Sequence, residues 1–179
     1  MRKLFILFAA AMMAVGASAQ SNVTRFADVP VDGTIENMIQ KLKAKGYSYN
    51  STTKNFTGEF FGTKTTINIG ANSHNKVWRV AMTDKEYCTA DEVRVRYNNI
   101  MRKFLNNANY QAIGRTRLIP DKEDIFWSMG ENGKNYTAVF VQKSADGKFH
   151  QTNQVWFSIY EFFGNFYMVF FYDNLKNKE

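Results

Sequence analysis

The sequence VWFSIYEFFGNFYMVFFY (residues 155–172) is the most distinctive part of the chain. Its two apolar runs, 155–161 and 166–172, lie on either side of a turn that contains Gly164. Aromatic and β-branched residues on both sides of a short glycine turn are typical of a β-hairpin. Strands that follow each other so closely in the chain run antiparallel. The stretch therefore predicts an antiparallel sheet in this part of the protein.

Both faces of the predicted hairpin are apolar. One face carries mainly aliphatic and phenylalanine side chains, and the other carries Trp156, Tyr160, Tyr167 and Phe171. A sheet with helices on one side needs only one apolar face. Either the hairpin is central and covered on both sides, or its second face is open and offers these four aromatic residues to a partner. Because aromatic residues with polar tips are favoured at interfaces, the four are candidate binding residues.

Strands are predicted in two groups, each preceded by a helix. In the first group, residues 56–60 and 65–69 flank a turn at Gly62, and a third strand covers 76–82. Alternation of apolar and polar side chains supports these strands. The second group comprises four strands at about 125–130, 135–143, 153–161 and 165–172.

Each of the two predicted helices has recognisable ends. Thr34 is a candidate N-cap, and Gly46 fits the position after the last helical turn. Thr89 and Glu92 have the spacing of a capping box and precede an apolar stripe. The stripe has helical spacing and comprises Val93, Tyr97, Ile100, Met101, Phe104, Leu105 and Ala108. We therefore expect one shorter and one longer helix.

The order of elements predicts an α+β domain, with two helices packed on one face of an antiparallel β-sheet. Because each helix precedes a meander of strands, the chain divides into two candidate tandem halves, 20–85 and 86–179. The tetrapeptide EFFG ends a strand in each half, at 59–62 and at 161–164. A duplication explains this repeat, and so does coincidence in an aromatic-rich chain.

The first nineteen residues have the pattern of a secretory signal peptide. Arg2 and Lys3 precede an uncharged run at 4–15, and small residues at 17–19 fit cleavage between Ala19 and Gln20. A helix of that run spans about 18 Å, less than the roughly 30 Å of a bilayer core. We therefore expect a signal peptide at 1–19, a single domain at 20–179 without a transmembrane segment, and a periplasmic or secreted protein.

Composition excludes several classes of protein. With 16% aromatic and 22% charged residues, the chain is too apolar to be disordered. Without Arg2 and Lys3, the net charge of +7 falls to +5. The basic residues do not cluster as a nucleic-acid site requires, so we expect no nucleic-acid partner.

The residues that usually carry chemistry are few and scattered. Cys88, the single cysteine, precedes a helix N-terminus that could lower its pKa, or it is an inert loop residue. His74 and His150 have no second ligand at the spacing of a zinc site. A local acidic group offers fewer oxygens than calcium needs and favours a turn. It comprises Asp121, Glu123 and Asp124. We therefore predict no catalytic residues, no metal and no cofactor.

Six short segments resemble small secreted proteins of unknown function from Bacteroidetes. They are PVDGT (30–34), KLKAKGY (41–47), TGEF (57–60), VWF (155–157), GNFY (164–167) and FYDN (171–174). The resemblance extends over nearly the whole mature chain and implies an exported protein, but it brings no catalytic residues. The order of helix and meander is also similar to beta-lactamase-inhibitor-protein-like domains, in which tandem helix–sheet units offer a sheet face to a partner.

These observations favour a non-catalytic function over an enzymatic one. The leading hypothesis is an exported binding module whose aromatic sheet face contacts a protein or a component of the cell envelope. Two alternatives remain: an envelope hydrolase whose carboxylates are distant in the sequence, and a purely structural envelope protein. Full burial of Trp156 and Tyr160 would contradict the binding hypothesis in this form.

Overall fold

The computed structural model describes residues 22–179, and its central element is an antiparallel sheet of eight strands. The predicted signal peptide and its cleavage site lie outside the described residues. The strands are β1 (Arg25–Phe26), β2 (Val29–Pro30), β3 (Ser48–Asn50), β4 (Asn55–Phe60), β5 (Thr63–Ala71), β6 (Val77–Asp84), β7 (Tyr110–Ile113), β8 (Thr137–Lys143), β9 (Phe149–Phe162) and β10 (Asn165–Asn174). Strands β1 and β2 form a separate hairpin, and the other eight lie in the order β3-β4-β5-β6-β10-β9-β8-β7.

Three α-helices occur in residues 22–179. They are α1 (Ile35–Ala44), α2 (Ala90–Leu105) and α3 (Ile125–Gly130), and a 3-10 turn follows at Leu175–Asn177. Within this part of the chain, no helix is long and apolar enough to cross a bilayer. The predicted combination of helices with an antiparallel sheet is confirmed, although the structure has three helices where two were expected.

Helix α1 begins and ends at the residues that its sequence predicts. Thr34 Oγ1 accepts the N–H of Asn37 at 3.3 Å. After the last turn, the N–H of Tyr47 donates to the carbonyl of Leu42 at 3.1 Å. This ending needs a residue with positive φ, and Gly46 supplies it with a φ of +89°.

Helix α2 begins at a complete capping box. Thr89 Oγ1 accepts the Glu92 N–H at 3.3 Å, and the Glu92 carboxylate accepts the Thr89 N–H at 2.8 Å. Leu105 is exposed and Ala108 lies beyond the helix, so the apolar stripe ends earlier than predicted. The buried part of the stripe comprises Val93, Tyr97, Ile100, Met101 and Phe104.

The core lies between one face of the sheet and the helices α1 and α2. The register of the sheet is shown by one row of paired residues that crosses six strands. The row comprises Phe56, Ile67, Met82, Phe170, Phe157 and Ala138, and all six are buried. On α2, the ring of Tyr97 meets Phe157 edge to face, with 5.3 Å between the ring centroids. Such aromatic pairs contribute about 0.5–1.5 kcal/mol beyond the area they bury.

A buried ion pair fixes α2 to the centre of the sheet. The side chain of Asp84, at the end of β6, is only 2% exposed. Arg96 on α2 donates to its two carboxylate oxygens at 2.8 and 3.3 Å, and the Met168 N–H of β10 donates to it at 3.1 Å. Burial raises the pKa of Asp84, while the Arg96 charge and these hydrogen bonds oppose the rise. One carboxylate therefore joins the helix to two neighbouring strands.

The predicted strand at 125–130 is wrong, because these residues form α3. Asp124 accepts the Trp127 N–H at 2.9 Å and caps the helix. The run Ile-Phe-Trp has high β-propensity. However, the buried residues of α3 are Ile125 and Ser128, three positions apart, which is the spacing of one helix face. The main sheet also has two short strands that the sequence did not predict, β3 and β7.

Each predicted half contains a helix followed by four strands of the main sheet, although the β1–β2 hairpin precedes α1 in the first half. Helix α1 precedes β3 to β6, and α2 precedes β7 to β10, with α3 inserted after β7. The two groups of four strands meet where β6 pairs with β10. Their origin in a tandem duplication stays a prediction.

The two EFFG segments form the same turn in different surroundings. Phe61 and Gly62 have φ of +49° and +77°, and Phe163 and Gly164 have φ of +50° and +79°. Two residues with positive φ between paired strands are typical of a type I′ hairpin, which favours Asn-Gly. The ring of Phe61 lies 4.5 Å from that of Phe60, centroid to centroid. Phe163 meets Phe162 in the same way at 4.6 Å. The difference is that Phe61 is half-buried and also contacts Phe104 at 5.9 Å, whereas Phe163 is 85% exposed.

Replacing each of these phenylalanines with asparagine should have opposite effects. Phe163→Asn removes an exposed ring and supplies the residue that the turn prefers, so we expect the free energy of unfolding to rise by about 0.5–1 kcal/mol. Phe61→Asn should lower it by about 1–2 kcal/mol, because the half-buried ring that is lost packs on Phe104 and Phe170. Urea denaturation measures both values, and a change of the same sign in the two variants would contradict this explanation.

Candidate binding face

The face of the sheet opposite α1 and α2, called the outer face below, carries the four candidate binding residues. Trp156 pairs with Phe171 and Tyr160 pairs with Tyr167 between β9 and β10. Trp156, Tyr167 and Phe171 are half-buried, and Tyr160 is 40% exposed. The hairpin therefore lies at the centre of the sheet. Its outer face is only partly covered, because each of these four side chains remains accessible.

Stacked rings connect the two strands across the outer face. The rings of Trp156 and Phe171 have a centroid separation of 3.9 Å and an interplanar angle of 20°. Those of Tyr160 and Tyr167 are 5.7 Å apart at 24°. Aromatic pairs directly opposite each other stabilise neighbouring strands. The stacking also holds flat aromatic surfaces side by side on this face.

A buried carboxylate fixes the orientation of Trp156. The indole N–H donates to Asp173 Oδ2 at 2.9 Å, and the Asp173 side chain is only 2% exposed. Arg79 on β6 donates to both oxygens of the same carboxylate at 2.7 and 2.6 Å. Its guanidinium carbon lies 4.3 Å from the ring centroid of Trp78 and 4.4 Å from that of Phe171. The charge, hydrogen bonds and cation–π contacts of Arg79 hold the Asp173 carboxylate in place, and this carboxylate orients the indole ring of Trp156.

Sequence reasoning missed Arg79 and Asp173. Alternation along β10 places Asp173 on the same face as Phe171. An acidic residue in an otherwise apolar strand was therefore the signal that could have identified Asp173 as part of this face. Its partner could not be found in the same way. Arg79 lies 94 positions away in the chain, and only the pairing of β6 with β10 brings the two together.

The aromatic surface continues to the tip of the β9–β10 hairpin. Tyr87, in the loop after β6, meets Tyr167 edge to face at 5.6 Å and stacks on Phe162 at 6.1 Å. Tyr87 and Phe162 are exposed, and Phe163 at the tip is the most exposed large apolar residue among those described. The sequence indicated the face but not this extension.

A groove of about 440 Å³ borders the outer face beside α3. Trp156, Ser158 and Tyr160 of β9 line it, together with Met129 of α3 and Asn135. Aromatic faces beside hydroxyl and amide groups can stack on a ligand and hydrogen-bond to it. The groove therefore adds a concave part to an otherwise open surface.

The surroundings of Cys88 disfavour its reactive thiolate, and the two histidines lie at the surface. Burial raises the pKa of Cys88, and the charges of Asp84 and Glu92 raise it further. Its Sγ donates to the Phe166 carbonyl at 3.4 Å. These effects favour the alternative in which Cys88 is an inert loop residue. His74 lies in an exposed loop, and His150 contacts Asp146 at 2.8 Å on the surface.

The acidic group at 121–124 is used within the fold. Asp124 caps α3. Glu123 accepts hydrogen bonds from Lys134, from Tyr136 Oη at 2.6 Å and from Ser128 Oγ at 2.9 Å. These bonds, with that of Lys134 the strongest, lower the pKa of Glu123 to about 2. Across residues 22–179, no three His, Cys, Asp or Glu side chains are arranged to hold a metal ion.

Comparison with known proteins gives no match, whether with protein-family models, with curated proteins or with solved structures.

Proposed function

We propose that the protein is an exported, non-catalytic binding module whose outer face contacts a protein or another component of the cell envelope. The observation that carries this proposal is the series of aromatic side chains from Trp156 to the hairpin tip, on the face that α1 and α2 leave uncovered. Exposed apolar patches on soluble domains usually mark contact sites. Tyrosine and tryptophan are enriched in such patches, because they combine a large apolar ring with a polar group.

The tip gives the proposal independent support. Phe163 has positive φ and is 85% exposed, and its ring meets only the exposed ring of Phe162, at 4.6 Å, among the aromatic contacts of the described residues, so it contributes little to folding. A phenylalanine is one of the less favourable residues for such a turn. Contact with a partner explains why a large apolar ring stands there. The matching residue of the other hairpin, Phe61, has a packing role instead.

Export and the tandem arrangement belong to the same proposal. The N-terminal segment 1–19 supports export by a signal peptide, with Gln20 as the first mature residue. The repeated order of a helix followed by four strands supports two tandem halves. The two EFFG turns do not add to this support, because one joins the second and third strands of its group and the other joins the third and fourth. In this arrangement the second half supplies the binding hairpin.

A pull-down tests the proposed contact. Tagged protein comprising residues 20–179 is incubated with the native envelope fraction, and the bound material is compared with that of the double variant Tyr160→Ala/Phe163→Ala. Both side chains are exposed, so the variant should fold with an unchanged melting temperature. We expect a stoichiometric partner that the variant retains at less than about a tenth of the wild-type amount, as for loss of central interface residues.

The matched control removes two exposed apolar side chains from the helix side of the molecule. Val95 and Leu105 on α2 are about as exposed as Tyr160. Val95→Ala/Leu105→Ala should therefore retain the partner. Equal losses in the two double variants would indicate non-specific adhesion and would refute a contact at the outer face, as would a wild-type protein that captures nothing.

A further inference from the structure

A second cavity lies at the edge of the sheet, away from the aromatic rings. Where β7 ends at Ile113, the chain continues as a loop, 114–124, that runs beside β8. Between this loop, β8 and α2 is a cavity of about 420 Å³. Its volume lies in the range of small-molecule sites. It meets the outer-face groove only at Asn135 and Thr137.

Two side chains attach the loop to its neighbours. Thr116 Oγ1 accepts the Val139 N–H of β8 at 3.0 Å and donates to the carbonyl of Ile113 at 2.8 Å. The buried amide of Asn98 on α2 donates to the Ile119 carbonyl at 2.8 Å and accepts the Ile119 N–H at 2.9 Å. The loop is thus attached to the sheet at one point and to the helix at another. The cavity between them is preformed.

The cavity is lined by cations and apolar groups. Arg115 and Arg117 line it and form no ion pair with any residue in 22–179. Lys134 also lines it and is paired with Glu123. Leu118 and Ile119 form an apolar part of the cavity wall. Two free guanidinium groups beside apolar wall match a ligand that has both an anionic group and an apolar body.

The hydroxyl of a buried tyrosine provides the second indication of a ligand. Tyr97 lines the cavity and is only 1% exposed. Its hydroxyl forms no hydrogen bond with another described residue, yet it is not among the enclosed unpartnered atoms, so it reaches the accessible space of the cavity. Burial raises the pKa of Tyr97 well above its ordinary value, so the group stays a neutral donor. A hydroxyl in this position donates to whatever occupies the cavity, which is water or the oxygen of a ligand.

We propose that the cavity between the 114–124 loop, β8 and α2 binds a small amphipathic anion. Arg115 and Arg117 bind its charged group, the Tyr97 hydroxyl donates a hydrogen bond to it, and Leu118 and Ile119 contact its apolar part. This site is separate from the aromatic outer face.

Two matched probes test the charge requirement. One is 8-anilinonaphthalene-1-sulfonate, and the other is N-phenyl-1-naphthylamine, which has the same rings without the sulfonate. Fluorescence titration of residues 20–179 should show one equivalent of the anionic probe bound, at least tenfold more tightly than the neutral one. Equal affinity for the two probes would overturn the proposal.

Variants locate the site. Arg115→Gln/Arg117→Gln should weaken the anionic probe at least tenfold and leave the neutral probe unchanged. Arg102→Gln/Lys76→Gln makes the same charge change at exposed positions elsewhere and should change neither affinity. Tyr97→Phe removes only the unpartnered hydroxyl, so it should keep the melting temperature of the wild type and weaken the anionic probe about threefold to tenfold.

Three results would contradict the site. Unchanged affinity of Arg115→Gln/Arg117→Gln for the anionic probe would show that these two arginines do not bind its charged group. Unchanged affinity in Tyr97→Phe would exclude the hydroxyl as a ligand donor. Loss of the probe in Tyr160→Ala/Phe163→Ala would move the binding to the outer face.

Discussion

Arg96→Met should lower the free energy of unfolding by about 3–5 kcal/mol at pH 7, more than any other change considered for this chain. The substitution keeps much of the apolar length of the side chain but leaves the carboxylate of Asp84 buried without a cation. It also removes the donor to the Phe61 carbonyl at 3.2 Å. Urea denaturation followed by far-ultraviolet circular dichroism gives the value.

The pH dependence of this loss identifies its cause. The pKa of Asp84 is already raised by burial, and removal of Arg96 should raise it further. As the pH falls through that raised pKa, the folded variant takes up a proton before the unfolded chain does, and the buried charge disappears. The stability difference between wild type and Arg96→Met should therefore shrink between pH 7 and pH 4. A difference that stays constant with pH would point to lost packing alone.

Arg94→Met is the matched control on the same helix. Arg94 pairs with Asp91 at 2.9 Å, but that carboxylate is 82% exposed, and the hydrogen bond that Arg94 donates to the Glu123 carbonyl is long, at 3.4 Å. Arg94→Met leaves no buried charge without a partner, so we expect a loss of at most about 1 kcal/mol, well below that of Arg96→Met. A loss as large as that of Arg96→Met would mean that any basic residue removed from α2 has this effect.

The helices were predictable because their end signals are local. Thr34, Gly46, Thr89 and Glu92 determine where α1 and α2 begin or end through hydrogen bonds that reach only a few residues along the chain. The main hairpins were predictable for the same reason. Helix α3 was missed because its apolar residues favour a strand, and the cap at Asp124 with burial on one face overcomes that preference.

The candidate face was predictable only in part. Alternation along β9 and β10 indicated which aromatic residues share a face. It could not determine exposure, which depends on whether helices pack on one side of the sheet or on both. The pairs Arg96–Asp84 and Arg79–Asp173 depend on the order of strands and the docking of α2. The cavity that Tyr97 lines depends on the same long-range arrangement, since its walls come from separate parts of the chain.

Arg79→Met should have the second largest effect, a loss of about 3 kcal/mol in the free energy of unfolding. It leaves Asp173 buried, with the Trp156 indole N–H as its remaining side-chain donor. The guanidinium that lies against Trp78 and Phe171 is lost as well. Urea denaturation measures the loss, and the near-ultraviolet circular dichroism of the aromatic side chains should change with it.

The double variant Arg79→Met/Asp173→Leu separates stability from the geometry of the binding face. Replacing both members of a buried pair with apolar residues is often close to neutral, so its stability should return to within about 1 kcal/mol of the wild type. Trp156 then has no acceptor at Asp173 to fix its indole ring. If the outer face binds through a fixed Trp156, this stable variant should capture less of the envelope partner than the wild type does. Full capture would show that the Arg79–Asp173 pair serves folding alone.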